Sequence, residues 1–164
     1  MAPYNDRSVV LEDVRIIFRN FQGKEGDYNR EGDRNFGVLL TTELAHAMEG
    51  DGWNVKWLKP RQEDDLPQAW LPVAIKYGRG RPPKVALITS KGRNLIGEDE
   101  IETLDWVDIR KIDMIIRPHN WTVSGSSGIK AYLKSMFVTI EEDFLDLKYA
   151  DLEDLPARAG RVDE

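Results

Sequence analysis

Apolar side chains recur at alternate positions over short runs through most of the chain, the period of a strand with one dry face. The strongest case is Ile112 to Ile140, IDMIIRPHNWTVSGSSGIKAYLKSMFVTI. Two β-rich runs flank Gly125-Ser126-Ser127-Gly128, which predicts a hairpin with a loop of a few residues. Alternation in the second run places Ile129, Ala131, Leu133, Phe137 and Thr139 on one face, read as core. Lys130, Tyr132, Lys134 and Met136 fall on the other. Upstream, Val14 to Phe21 reads as the first strand, with Val14, Ile16 and Phe18 on one face and Arg15, Ile17, Arg19 and Phe21 on the other. Further strands are predicted over 35–40, 53–58, 69–77 and 84–89. Trp53, Val55 and Trp57 share a face, and two Trp at that spacing favour core.

Helical signals are fewer. Thr41 is a candidate N-cap for a short helix over 42–49, ended by Asp51-Gly52. Residues 98–109 read as a second helix, with acids at its start and a buried stripe of Ile101, Leu104 and Ile109; Trp106 is read as packing. Residues 23–34 form a loop by composition, rich in glycine and charge, and Tyr28 in its middle either stacks on a ligand or folds back on the sheet. Strands in this order, with a helix after the second, predict a mainly β fold. It is a small OB-type barrel of five or more strands with one or two short helices and an acidic C-terminal tail. A two-sheet sandwich is the alternative. The predicted organisation is a flexible leader over 1–13, the barrel over 14–140 and an acidic helix or tail over 141–164.

Charge changes the picture through its distribution. The chain has 164 residues and a formal net charge of −6. All of that excess lies in residues 141–164, which hold nine acids and three bases; residues 1–140 balance at 20 of each. Within that neutral body, residues 66–97 hold six bases and no acid. A basic patch on a neutral body suits a polyanionic ligand in a way that the overall acidity hides. The basic connector Gly78-Arg79-Gly80-Arg81-Pro82-Pro83 fits a phosphate-gripping hairpin. Lys130 and Lys134 flanking Tyr132 fit a strand that holds phosphates and stacks a base.

The chemistry of an enzyme is not visible. There is no cysteine, which excludes disulfides and thiolate metal sites and is compatible with a reducing cytoplasm. The two histidines, His46 and His119, are far apart and have no metal-ligand spacing. Neither a phosphate-binding P-loop nor a nucleophile elbow is present. Asp64-Asp65 and Glu98-Asp99-Glu100 read as solvated charge rather than a Mg²⁺ site. No apolar run approaches the roughly 18 residues of a membrane span, and residues 1–14 lack the pattern of a signal peptide. No cofactor and no metal are expected.

Two stretches together carry a resemblance. One is Ile17-Phe18-Arg19-Asn20-Phe21 with Tyr28-Asn29-Arg30-Glu31-Gly32 and Arg34-Asn35-Phe36. The other is Ile116-Arg117-Pro118-His119-Asn120-Trp121, then Gly125, then Gly128-Ile129-Lys130-Ala131-Tyr132-Leu133-Lys134-Ser135-Met136, ending Thr139-Ile140-Glu141-Glu142. Over 12 to about 150 the chain resembles bacteriophage single-stranded-DNA-binding proteins. The resemblance implies an OB fold, sequence-tolerant binding and a role in phage DNA replication, recombination or repair in the host cytoplasm. Bacterial single-strand-binding proteins end in an acidic tip finished by an aromatic; this chain ends Arg161-Val162-Asp163-Glu164, a departure that weakens the parallel for partner recruitment. On the reading of a basic groove with aromatics under the bases, the phosphate candidates are Arg15, Arg19, Lys76, Arg79, Arg81, Lys130 and Lys134. The stacking candidates are Phe21, Tyr28, Tyr77, Trp121 and Tyr132. The acidic tail is expected to compete for the groove or to meet replication and recombination proteins, and self-association is compatible with this organisation. A protein–protein module, a barrel whose basic face meets an acidic partner, is the rival.

Overall fold

The computed structural model describes residues 7–78 and 80–142, with 148 and 152. Most of the acidic segment expected over 141–164 therefore lies outside the described residues, as does Arg79.

Nine strands form one sheet among the described residues. They are β1 (Val9–Leu11), β2 (Ile16–Asn20), β3 (Arg34–Leu40), β4 (Lys56–Leu58), β5 (Gln68–Ile75), β6 (Lys84–Thr89), β7 (Gly92–Ile96), β8 (Ile109–Val123) and β9 (Ser126–Ile140). The main path runs β1-β8-β9-β5-β3-β2, with β4 added to β5 and the β6–β7 hairpin added to β9. β5 and β6 both run parallel to β9, β5 meeting it at 131–132 and β6 at 135–139. The ends of the path, β1 and β2, are successive in the chain. Val14 N donates to Ile112 O and Leu39 N to Arg15 O, so the backbone over 12–15 touches both edges of an OB-type sheet that is not closed into a full barrel. Residues 9–11, placed in the expected leader, thus form a strand: Val9 and Leu11 give β8 a partner and Leu11 is buried.

The interior is filled by Phe21, Phe36, Val38, Leu71, Val73, Ile112, Met114, Ile116, Leu133 and Met136, all nearly inaccessible. The helix α1 (Thr42–Gly50) starts as expected, the Thr41 hydroxyl accepting from Leu44 N, and buries Ala45 and Met48. Trp53 joins the core as its spacing suggested. The helix predicted over 98–109 is instead a 3-10 turn, Ile101–Asp105. Ile101 and Leu104 are buried, but Trp106 is 65% exposed rather than packed. A period of three or four residues sustained for one turn supplies a buried stripe without a helix long enough to propagate.

Two β-bulges overturn the expected faces. Across β2 and β3 the register passes from Ile17↔Gly37 to Asn20↔Asn35, so β2 carries one extra residue. Phe18 there has φ +53°, a left-handed conformation that bulges normally give to glycine. Alternation is inverted beyond it: Phe18 turns outward, 57% exposed, and Phe21 turns inward, stacked on Phe36 at 5.1 Å. Across β8 and β9 the register passes from Ile116↔Leu133 to Ile115↔Ser135, leaving Lys134 as the extra residue. Ala131 and Leu133 point inward as predicted, but beyond the bulge Met136 and Val138 are buried while Phe137 and Thr139 face outward.

Candidate nucleic-acid interface

The outer face of β3 and β5, crossed by the β2 bulge at one side and by β9 at the other, holds a groove of about 720 Å³. Its floor follows from strand alternation. In β5, Ala69, Leu71, Val73 and Ile75 point into the core, which leaves Trp70, Pro72 and Ala74 outward. The Trp70 indole lies diagonally over Gly37. A Cβ at Gly37 would sit 2.6 Å from Trp70 Cε3, so only glycine admits the ring flat against the sheet. The Phe18 ring meets Trp70 edge-on, with centroids 4.9 Å apart.

The strained backbone at Phe18 is fixed from outside its own strand. The Arg19 guanidinium donates to Leu104 O (3.2 Å) and Val107 O (2.8 Å), and the Asp105 carboxylate accepts from Phe21 N (2.7 Å) and Gln22 N (3.0 Å). Arg34 donates to Phe21 O. The 3-10 turn therefore acts as a clasp on the bulge. This accounts for two corrections. Arg19 is committed to carbonyls of the turn and is not a groove cation. Phe21, fully buried, packs the core and has no face for a base.

The second wall is the 23–34 loop. Gly26 and Asn29 exchange backbone hydrogen bonds (2.9 and 3.2 Å), making a tight turn with Tyr28 near its tip. Asn29 Nδ2 reaches the carbonyls of Lys24, Arg30 and Asp33, and Asn35 Nδ2 reaches Asn29 Oδ1 at 2.7 Å. The loop is thus internally bonded, and Tyr28 stands fully exposed at the groove rather than folded back on the sheet.

Cations complete it. Lys56, Lys76 and Lys130 line the groove, with Lys76 3.9 Å from Asp33. Lys130 is held below the ordinary lysine range, first by partial desolvation and then by the nearby Lys76, with Asp33 opposing. An anion arriving beside that ammonium would offset both effects by favouring its charged form.

Past Lys130 the same face continues onto the β8–β9 hairpin, whose residues 119–127 are all exposed. Tyr132 stacks on His119 at 4.6 Å with planes 7° apart. Trp121 lies over its cross-strand partner Gly128, where a Cβ would come within 2.8 Å of the indole. Of the other candidates, Arg81 is exposed on the connector and Lys134 is exposed at the bulge. Arg15 is exposed beside Arg19 and residues 109–112, away from the groove. Tyr77 is half-buried against the core with its hydroxyl enclosed and unbonded, and burial raises its pKa, so it is not an open platform. Phe18, Trp70 and Lys56 were not singled out from the sequence. Trp70 was legible, because the alternation of 69–75 puts it outside; Phe18 was not, because the bulge that exposes it leaves no local mark.

The chain matches, over residues 3–163, the family described as "Putative phage ssDNA-binding domain". Solved structures of phage proteins share its fold. The single-stranded DNA-binding protein from bacteriophage Enc34 in complex with ssDNA has a TM-score of 0.55 at 12% identity, covering 85% of this chain and 89% of that one. The same phage's protein in another structure has a TM-score of 0.53 at 14% identity, covering 97% and 88%. No curated protein matches the chain.

Proposed function

We propose that the chain, which belongs to the family described as a putative phage ssDNA-binding domain, is a non-enzymatic binder of single-stranded DNA in phage replication that holds the strand in the groove over β3 and β5. The observation that carries this assignment is the convergence of three outward aromatics, Phe18, Tyr28 and Trp70, with Lys56, Lys76 and Lys130 around one groove. Rings under bases contribute about 1–3 kcal/mol each without regard to sequence, since every base has a π-face. Lysines follow the phosphates. The strand continues over the Tyr132–His119 stack toward Trp121, so the hairpin is the second half of the platform. Arg81 closes on the phosphates from the connector. The setting is the host cytoplasm, where the protein protects single-stranded intermediates of phage replication and recombination; among the described residues no helix is long and apolar enough to cross a membrane. The acidic segment over 141–164 serves contacts with replication proteins.

The test is fluorescence anisotropy with labelled oligo-dT and its duplex over a salt series. Binding to the single strand should exceed binding to the duplex, and three lysine–phosphate contacts give a log–log salt slope of about −2. Wild-type affinity for oligo-dT that the Trp70→Ala and Tyr28→Ala variants retain in full would remove the groove from the binding path. Absence of binding to either nucleic acid would overturn the function and favour an acidic protein partner.

A further inference from the structure

A second cation–aromatic cluster lies on the same outer face, at the far end of β9. Beyond the Lys134 bulge Phe137 points outward, opposite Ala86 of β6 and Asp113 of β8. Lys84 Nζ lies 5.6 Å from the centre of its ring and Arg93 Cζ 5.8 Å. The two cations come from different strands, β6 and β7, and converge on one ring. Among the described residues neither has an ion-pair partner; the acids nearest in register, Asp113 and Glu142, are bound elsewhere, to Lys111 and to Asp13 N, and to Ser90. Two cations held at one ring, with no ion pair of their own among the described residues, are available to a bound anion.

The cluster is aligned with the groove. Lys130, Tyr132, Ser135 and Phe137 all stand on the outer side of β9, since Ala131, Leu133, Met136 and Val138 are the buried ones. Tyr132 and Phe137 are five residues apart, about 17 Å at strand rise. β5 pairs with β9 at Ala131 and Tyr132 and β6 begins where Lys84 pairs with Ser135, so β9 itself runs from the groove to the cluster.

We propose that Lys84 and Arg93, seated on Phe137, form a second phosphate-binding site that takes the backbone of the same single strand as it leaves the groove along β9. The ligand is the phosphodiester backbone, not a base, because the cations occupy the ring. This site rests on the groove reading of the function, and it sets how long a strand must be for full affinity. Short strands confined to the groove ignore it; longer ones use it.

The experiment compares wild type with the Lys84→Ala/Arg93→Ala double variant on oligo-dT of about 6 nucleotides, near the lower end of the OB-fold range of about 4–16, and of about 20, beyond its upper end. The double variant should bind the short oligonucleotide as wild type does. It should bind the long one about tenfold more weakly, with a salt slope shallower by about 1.4, the loss of two phosphate contacts. Phe137→Leu, which removes the ring and keeps both charges, should fall between them on the long oligonucleotide. Equal affinity of wild type and variant for the long strand overturns the proposal, and if the variant then loses binding to polyglutamate the cluster is a docking surface for an acidic protein. An equal loss on both lengths also overturns it, as a general field effect. If wild type binds neither length, it is the groove reading that fails, and this site falls with it.

Discussion

β2 and β9 each carry one bulge, and the two do opposite things with an aromatic. In β2 the extra residue is itself the aromatic: Phe18 is pushed into a left-handed conformation and out over Trp70, while Phe21 is delivered to the core. In β9 the extra residue is Lys134, and the ring it displaces outward, Phe137, lies three positions later in unstrained strand. The first bulge carries strain on a β-substituted residue, a cost of order 1–3 kcal/mol that must be over-determined from elsewhere. Arg19, Asp105 and Arg34 supply that determination. The second has no such conformation at its extra residue. Strain marks the ring at the groove, and its absence marks the ring that only carries cations.

Substitutions at the two phenylalanines of β2 test this most severely. Phe21→Ala should cost about 3–5 kcal/mol of stability in urea unfolding, as deletion of a buried ring does. Phe18→Gly should preserve or raise stability, because glycine accepts the positive φ, yet weaken oligo-dT binding by about 1–3 kcal/mol. A Phe18 variant that unfolds readily and binds normally would reverse the roles assigned to the two rings. Gly37→Ala is expected to cost about 1–3 kcal/mol by overpacking against Trp70 and to weaken binding together with stability. A variant with unchanged affinity and a displaced Trp70 would remove that ring from the platform.

The smallest effect is in pH. Lys130 has a depressed pKa in the free protein, and a phosphate would raise it, so binding takes up a proton as the pH approaches that value from below. Affinity therefore falls as pH rises from about 7 toward the lysine range near 10. Lys130→Arg stays charged throughout and should flatten the profile by a few-fold in Kd; coincident profiles would take Lys130 off the phosphate path.

Local chemistry in the sequence was enough for the existence of the β8–β9 hairpin, although its turn is Ser124-Gly125 and residues 126–128 of the expected loop are paired in β9, for β6, which spans the predicted residues, and for the Thr41 cap. Each depends on neighbours within a few positions. What could not be read depends on distant partners. β1 is too short to be periodic and exists because β8 offers an edge. β7 shows four exposed residues in five, so no apolar alternation announces it. The bulges reset alternation without altering composition, which moved Phe18, Phe21, Met136 and Phe137 to the wrong faces. Arg19 looked like a phosphate ligand for the same reason that it makes a good clasp: a long cation seeks oxygens, and the nearest are carbonyls of residues 104 and 107.

That clasp also orders events in time. Its bonds join positions 83 to 88 apart in the sequence, and loop closure on that scale comes late, after local turns and hairpins have formed. During synthesis the β2–β3 pair leaves the ribosome well before residues 104–107 exist. The nascent chain thus holds the aromatic of its groove in a relaxed backbone until the 3-10 turn arrives, and completion of the platform becomes one of the last steps of folding rather than one of the first.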